Sequence, residues 1–211
     1  MNINQRLSKN FTLNEFLRSS TAERDEAIAK DQFNPPENIV ANLAYLCSTT
    51  LQPIRDMLGV PLRITSGYRC PSLNTKIGGS KSSQHMHGQA ADVQLPDRFL
   101  SHPATRRIRR KISERVLAVT GRPLRSDVNA NFQLFAYVCL RINELDIDQV
   151  IHEFGNGYGQ PAWVHLATSP GNRDKRQILT LGRYLPNRKE KPDLVTALNY
   201  GTDYVESAAV A

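Results

Sequence analysis

Apolar positions first fall at helical spacing after Pro35-Pro36-Glu37. Ile39, Leu43, Leu46, Leu51 and Ile54 share one side of a helix that runs to Leu58; it opens with proline in its first turn. Pro53 lies inside this pattern and predicts a kink. Gly59 then ends the helix just beyond its C-cap. Upstream, residues 11–17 read as a turn entering a short helix, with Thr12 as cap and Glu15 closing a capping box. Two-residue alternation takes over at Pro61–Ser66 and Ala90–Leu95 and predicts strands. Between them, Gly67–Ser82 reads as a glycine- and serine-rich loop. Ile108, Ile112, Val116 and Val119 line one side of a helix predicted over Thr105–Val119, and Phe132–Asn143 suits a buried helix. Gln149–Phe154 and Trp163–Ala167 predict an antiparallel hairpin across a turn-rich connection. A small central antiparallel sheet with flanking helices is an α+β fold.

The chain has 211 residues, which suits one domain. No apolar run approaches the roughly 20 residues that span a bilayer, so no membrane span is expected. The N-terminus lacks the apolar core of a secretory signal, and export is expected by another route. Three cysteines at long spacing, Cys47, Cys70 and Cys139, give neither a disulfide framework nor a cysteine-rich zinc knuckle. The net charge of +7 is local. One basic cluster runs from Arg106 to Arg115 and another from Arg173 to Lys191. Such surfaces attract polyanions, but no aromatic residues are interleaved to stack on bases, so no specific nucleic acid is expected. Beyond Gly171 the pattern weakens, and 207–211 read as a frayed end.

The chemistry concentrates in two short runs. Ser83-Gln84-His85-Met86-His87-Gly88-Gln89-Ala90-Ala91-Asp92 places imidazole and carboxylate close together with small residues between. Trp163-Val164-His165-Leu166, about seventy residues on, offers a further imidazole. Two nitrogens and one carboxylate oxygen form the ligand set of a catalytic zinc site with a fourth position open, where such an ion makes water easy to deprotonate. Either His85 or His87 can supply the first nitrogen.

The pattern Ser83-x-His85-x-x-Gly88-x-Ala90-x-Asp92, followed by Trp163-x-His165, resembles the zinc D-Ala-D-Ala carboxypeptidases and the phage L-alanyl-D-glutamate endopeptidases, which share a fold with the Hedgehog signalling domain. Ser66-Gly67-Tyr68-Arg69-Cys70-Pro71, Leu73-Asn74-x-x-x-Gly78-Gly79-Ser80 and Asn10-Phe11-Thr12-Leu13-x-Glu15-Phe16 carry the same resemblance. It runs from about residue 9 to 96 and resumes from about 147 to 185, which implies a peptidase domain over 1–190, an insertion at 97–146 and a tail at 191–211. It further implies His85, Asp92 and His165 as ligands of one Zn2+ per chain, with His87 not among them. Arg69 would contact substrate or stabilise the oxyanion, and Ser83 would bind substrate. The implied substrate is the stem peptide of bacterial peptidoglycan, cut at D-Ala-D-Ala or at L-Ala-D-Glu. The implied setting is a phage lysin or virion-associated wall hydrolase, made in the cytoplasm and acting in the periplasm, with phage virion proteins as further partners. Two other classes stand beside it: a structural virion protein and a metal-binding interaction domain, either keeping the fold with little catalysis.

The general base departs from the family. Several relatives carry an acid three residues before the last histidine, where this chain has Ala162. If the hairpin closes over 155–161, Glu153 lies opposite Trp163 and Ile151 opposite His165. Side chains alternate by two along a strand, so Glu153 reaches the metal side as the catalytic base and His152 points away. A slip of one residue reverses the two.

Overall fold

The structure is a computed structural model and describes residues 2–171, 175–183, 185 and 188–202. The expected frayed end at 207–211 lies outside these residues, as does Arg173. A short hairpin, β1 (Arg6–Ser8) with β2 (Phe11–Thr12), leads into α1 (Leu13–Leu17). The capping box is present, with Thr12 N donating to Glu15 Oε1 at 2.8 Å. Two short helices follow, α2 (Ser20–Glu23) and α3 (Glu26–Gln32), capped by Ser19 and Asp25. The long helix comes as α4 (Glu37–Leu46) and α5 (Gln52–Leu58). A π-helical turn, Cys47–Leu51, joins them without a break. Pro53 clashes with the preceding turn of a regular helix. The wider turn accommodates it, with Gln52 N donating to Cys47 O.

β3 (Arg63–Ser66) opens the main sheet. The loop expected after it contains α6 (Pro71–Lys76), with proline at its start. β4 (Ala90–Gln94) pairs antiparallel with β3. The segment 97–146 holds α7 (Arg106–Thr120) and α8 (Ala130–Leu140). Ile112 and Val116 of α7 are buried; Val119, expected beside them, is exposed because the helix ends as it leaves the core. α8 is apolar nearly all round and packs on β4, β5 (Gln149–Glu153) and β6 (Trp163–Ala167). An all-round apolar helix is the back layer of a sheet, so the expected insertion is built into the core.

The sheet order is β3-β4-β6-β5-β7-β8, completed by β7 (Gln177–Leu181) and β8 (Lys189–Glu190). Against the expected antiparallel sheet it has one exception among the described residues: β5 and β7 run parallel, while its other pairings are antiparallel. β6 ends beside the start of β5, and the chain turns there onto β5's far edge, so β7 sets off in β5's direction. The last helix among the described residues, α9 (Leu194–Asn199), lies in the region expected as a tail. It packs on α7 and α8 and puts Ala197 and Leu198 into the same core, which Tyr200 joins just after the helix ends.

The period of two divides the sheet chemically. Ala91, Val93, Val150, Val164, Leu166 and Ile178 face the helices. Asp92, Ile151, Glu153 and His165 sit at the intervening positions, on the opposite face. That face is the floor of a cleft.

Candidate metal centre

β4 and β6 pair so that Asp92 lies directly opposite His165. His85 comes from outside the sheet, on the 3-10 turn Gln84–His87. Gly88 ends that turn in the left-handed region at φ 65°, and a Cβ there would meet Ile39 O at 2.6 Å. Gly67 is equally constrained, because a Cβ would lie 2.6 Å from Phe16 Cα. Glycine at these two places lets α4 and α1 close on the loops that carry the site. Gln84 pins the turn to the sheet, with Nε2 donating to Asp148 Oδ2 at 2.9 Å and Thr168 O at 3.2 Å.

Three ligand atoms converge. His85 Nε2 is 3.1 Å from His165 Nδ1 and 3.2 Å from Asp92 Oδ1, and His165 Nδ1 is 3.1 Å from Asp92 Oδ1. All three side chains are buried. His85 Nδ1 lies 2.6 Å from Gly67 O. A carbonyl only accepts, so Nδ1 carries the proton and Nε2 presents a lone pair. When the imidazoles are neutral, as metal ligands must be, that leaves a lone pair, a carboxylate oxygen and one further ring nitrogen facing a common point. A cation satisfies all three at once. Ligands about 2.0–2.1 Å from one tetrahedral ion lie about 3.3 Å apart, close to the spacings observed. The donor set fits zinc, and the carbonyl behind His85 is the outer support such a ligand uses.

Arg69 completes the support. Its Nη2 donates to Asp92 Oδ2 at 2.5 Å and its Nε to Ser66 Oγ at 2.8 Å. Of the fork expected to hold substrate, one donor thus orients a ligand carboxylate and another is tied to Ser66, and Arg69 reaches the cleft only with what remains. Burial raises the Asp92 pKa, but the charges and hydrogen bonds of His85 and His165 outweigh it and hold the carboxyl below the usual carboxylate range.

Residues 9–119 match the family model for peptidase M15. The chain belongs to the peptidase M15 family. The resemblance read from the motifs is therefore borne out at family level, and the α+β fold with it. None of the curated proteins matches the chain. The M15 match takes in Arg69, Ser83, His85 and Asp92 and stops inside α7. His165 and Glu153 join these residues through the sheet. Family and ligand cluster together make this a metallopeptidase centre.

The hairpin has the register on which the base was argued: Ile151 opposes His165 and Glu153 opposes Trp163. Glu153 is buried at the cleft, one step diagonal from His165, and its Oε2 accepts from Trp163 Nε1 at 2.7 Å. Burial and the Asp92 charge raise its pKa; His165, the Trp163 bond and Arg69 pull the other way. Ala162 closes the turn, with its N donating to Glu153 O at 2.9 Å. Asn131 and Gln94 hold the Ala162 carbonyl. Ser83 borders the cleft just before the His85 turn. His87 is exposed and turned from the ligands, with its carbonyl accepting from Asn42.

His152 points to the helix side, with its ring against Phe132, Phe135 and Tyr200. Desolvation in this apolar setting pulls its pKa down to about 4 from 6.5. The unfolded chain therefore takes up this proton first. The stabilisation is whole above about pH 6.5 and is lost as pH falls through about 4. At about 1.4 kcal/mol per unit, the loss reaches about 3 kcal/mol. Urea unfolding at pH 7 and pH 4.5 should show this acid loss reduced in His152→Phe. Equal losses in the two proteins would mean that His152 does not titrate with folding.

Proposed function

We propose that the protein is a zinc D-Ala-D-Ala carboxypeptidase acting on the stem peptide of bacterial peptidoglycan, working in the periplasm as a phage lysin or virion-associated wall hydrolase. The observation that carries this reading is the convergence of His85, Asp92 and His165 on one point beside the buried carboxylate of Glu153, at the floor of a cleft of about 630 Å3, in an M15 chain.

When bound, zinc supplies Lewis acidity and makes water acidic near neutral pH. Glu153 stands on the same sheet face and takes the proton of the attacking water, then returns it to the leaving amine. Trp163 holds Glu153 in place through its indole N–H, and Arg69 fixes the orientation of Asp92. Arg69, Lys175 and Lys189 border the cleft, against Asp92 and Glu153 as its only acids among the described residues. Once the metal adds its charge, such a cleft favours an anionic peptide, and a free terminal carboxylate suits the carboxypeptidase assignment. The exposed Arg106, Arg107, Arg110, Lys111 and Arg115 of α7 supply a second field for an anionic wall.

Purified protein, stripped with a chelator and reloaded with zinc, should release D-alanine from sacculi and from a soluble stem pentapeptide. The stripped protein should release none. Release of fragments cut at L-Ala-D-Glu would move the assignment to the endopeptidase branch. Stoichiometric zinc with both substrates intact would make the chain a metal-binding interaction domain.

A further inference from the structure

Phe154 follows Glu153 directly and has a backbone that phenylalanine rarely adopts. Its φ is 51°, in the left-handed region, where an L side chain meets its own backbone and glycine does not. The strain is held in place by Phe154 N, which donates to Leu181 O at 2.7 Å. The ring gains little burial in return, since the residue is 39% exposed. It borders the cleft and rests against Trp163, with centroids 5.3 Å apart and planes tilted by 47°. Trp163 is in turn fixed by its bond to Glu153. Ile151, Leu179 and Leu181 continue the apolar surface along the same side of the cleft. Gly78, Gly79 and serines also line the cleft and offer no comparable apolar surface. Neither backbone preference nor core packing accounts for an exposed phenylalanine at this position. Strain of this kind persists where a site uses it.

We propose that Phe154 and Trp163 form an aromatic platform that receives the small apolar side chain next to the scissile bond, making Phe154 a specificity-determining residue. The proposal rests on the peptidase reading above and adds to it the wall on which the substrate lies. An aromatic face offers a large apolar contact area to a small side chain, and this one stands beside the base without touching the reacting atoms.

The test uses the zinc-loaded protein and a soluble stem pentapeptide. Phe154→Ala removes the ring and keeps the strain; Phe154→Gly removes both. Each should raise KM about tenfold, the worth of roughly one good apolar contact, with kcat within about twofold and zinc content unchanged. The glycine variant should also melt at or above the parental temperature, so a poorly folded alanine variant does not decide the matter. Unchanged KM in both variants, or a kcat loss that follows zinc loss, overturns the proposal. If the parental protein leaves the pentapeptide intact, the peptidase reading fails separately. The platform is then read from the fluorescence of Trp163, the only tryptophan in the chain, titrated with the uncleaved peptide. A Kd about tenfold higher in Phe154→Gly supports it. An equal Kd, or no response in the parental protein, overturns it.

Discussion

His165→Ala should abolish stoichiometric zinc binding and, with it, hydrolysis. His165 Nδ1 sits 3.1 Å from both His85 Nε2 and Asp92 Oδ1, so its removal leaves two ligand atoms where three converge. Loss of a mere outer-shell partner costs roughly 10–100-fold in metal affinity; loss of a ligand should exceed about 100-fold. The fold should tolerate the change. His165 lies in the middle of β6 with strands on both sides, and the metal-free protein is relieved of one crowded nitrogen. Two measurements separate the site from the scaffold: zinc per chain after dialysis, and the rise in melting temperature on adding zinc. The parental protein should show one equivalent and a clear rise, because a ligand that binds only the folded state stabilises it by mass action. His165→Ala should show neither, while its metal-free melting temperature stays near the parental value. Retention of one tightly held zinc in His165→Ala would remove His165 from the ligand set.

How far this site was legible depended on the range of the interactions that build it. β4, β6 and the hairpin register could be read because alternation fixes which face each residue takes, and the turn-rich 155–161 stretch fixes where pairing begins. The residues alone left His85 and His87 as alternatives, and only the family resemblance chose His85; its setting was not legible, because it stands on a 3-10 turn held by Gly67 O and by the contacts of Gln84 with Asp148 and Thr168, outside any strand pattern. The Arg69–Asp92 pair joins residues on different segments across the β3–β4 pairing and leaves no mark in local sequence. α2, α3, α6 and α9 are too short to complete an apolar period, although Ser19, Asp25 and Asp193 as caps and Pro71 at the start of α6 were readable signals. β7 was hidden because Gln177-Ile178-Leu179-Thr180-Leu181 lies in a basic stretch and its parallel pairing depends on the path of the chain after β6. No local signal marks Phe154 as a cleft residue, since its exposure follows from a backbone angle.

Glu153→Gln should bind zinc as the parental protein does and lose roughly 10²–10⁴-fold in kcat, the usual worth of general-base help. The amide is nearly isosteric, and its oxygen can still accept the Trp163 N–H that now reaches Glu153 Oε2 at 2.7 Å. Position is therefore kept and proton uptake is lost. Zinc affinity should be little changed, because the three converging atoms belong to other residues. His152→Phe supplies the contrast. That ring lies on the helix side among Phe132, Phe135 and Tyr200, so kcat should stay within a few-fold of parental, although the acid stability changes. The neighbouring pair thus tests the strand register in solution, since adjacent residues on β5 face opposite ways. A large kcat loss in His152→Phe with Glu153→Gln near parental would mean that the strand has slipped by one residue. Parental kcat in both variants would mean that the proton passes to another group, and the role given to Glu153 would fall while the metal centre stood.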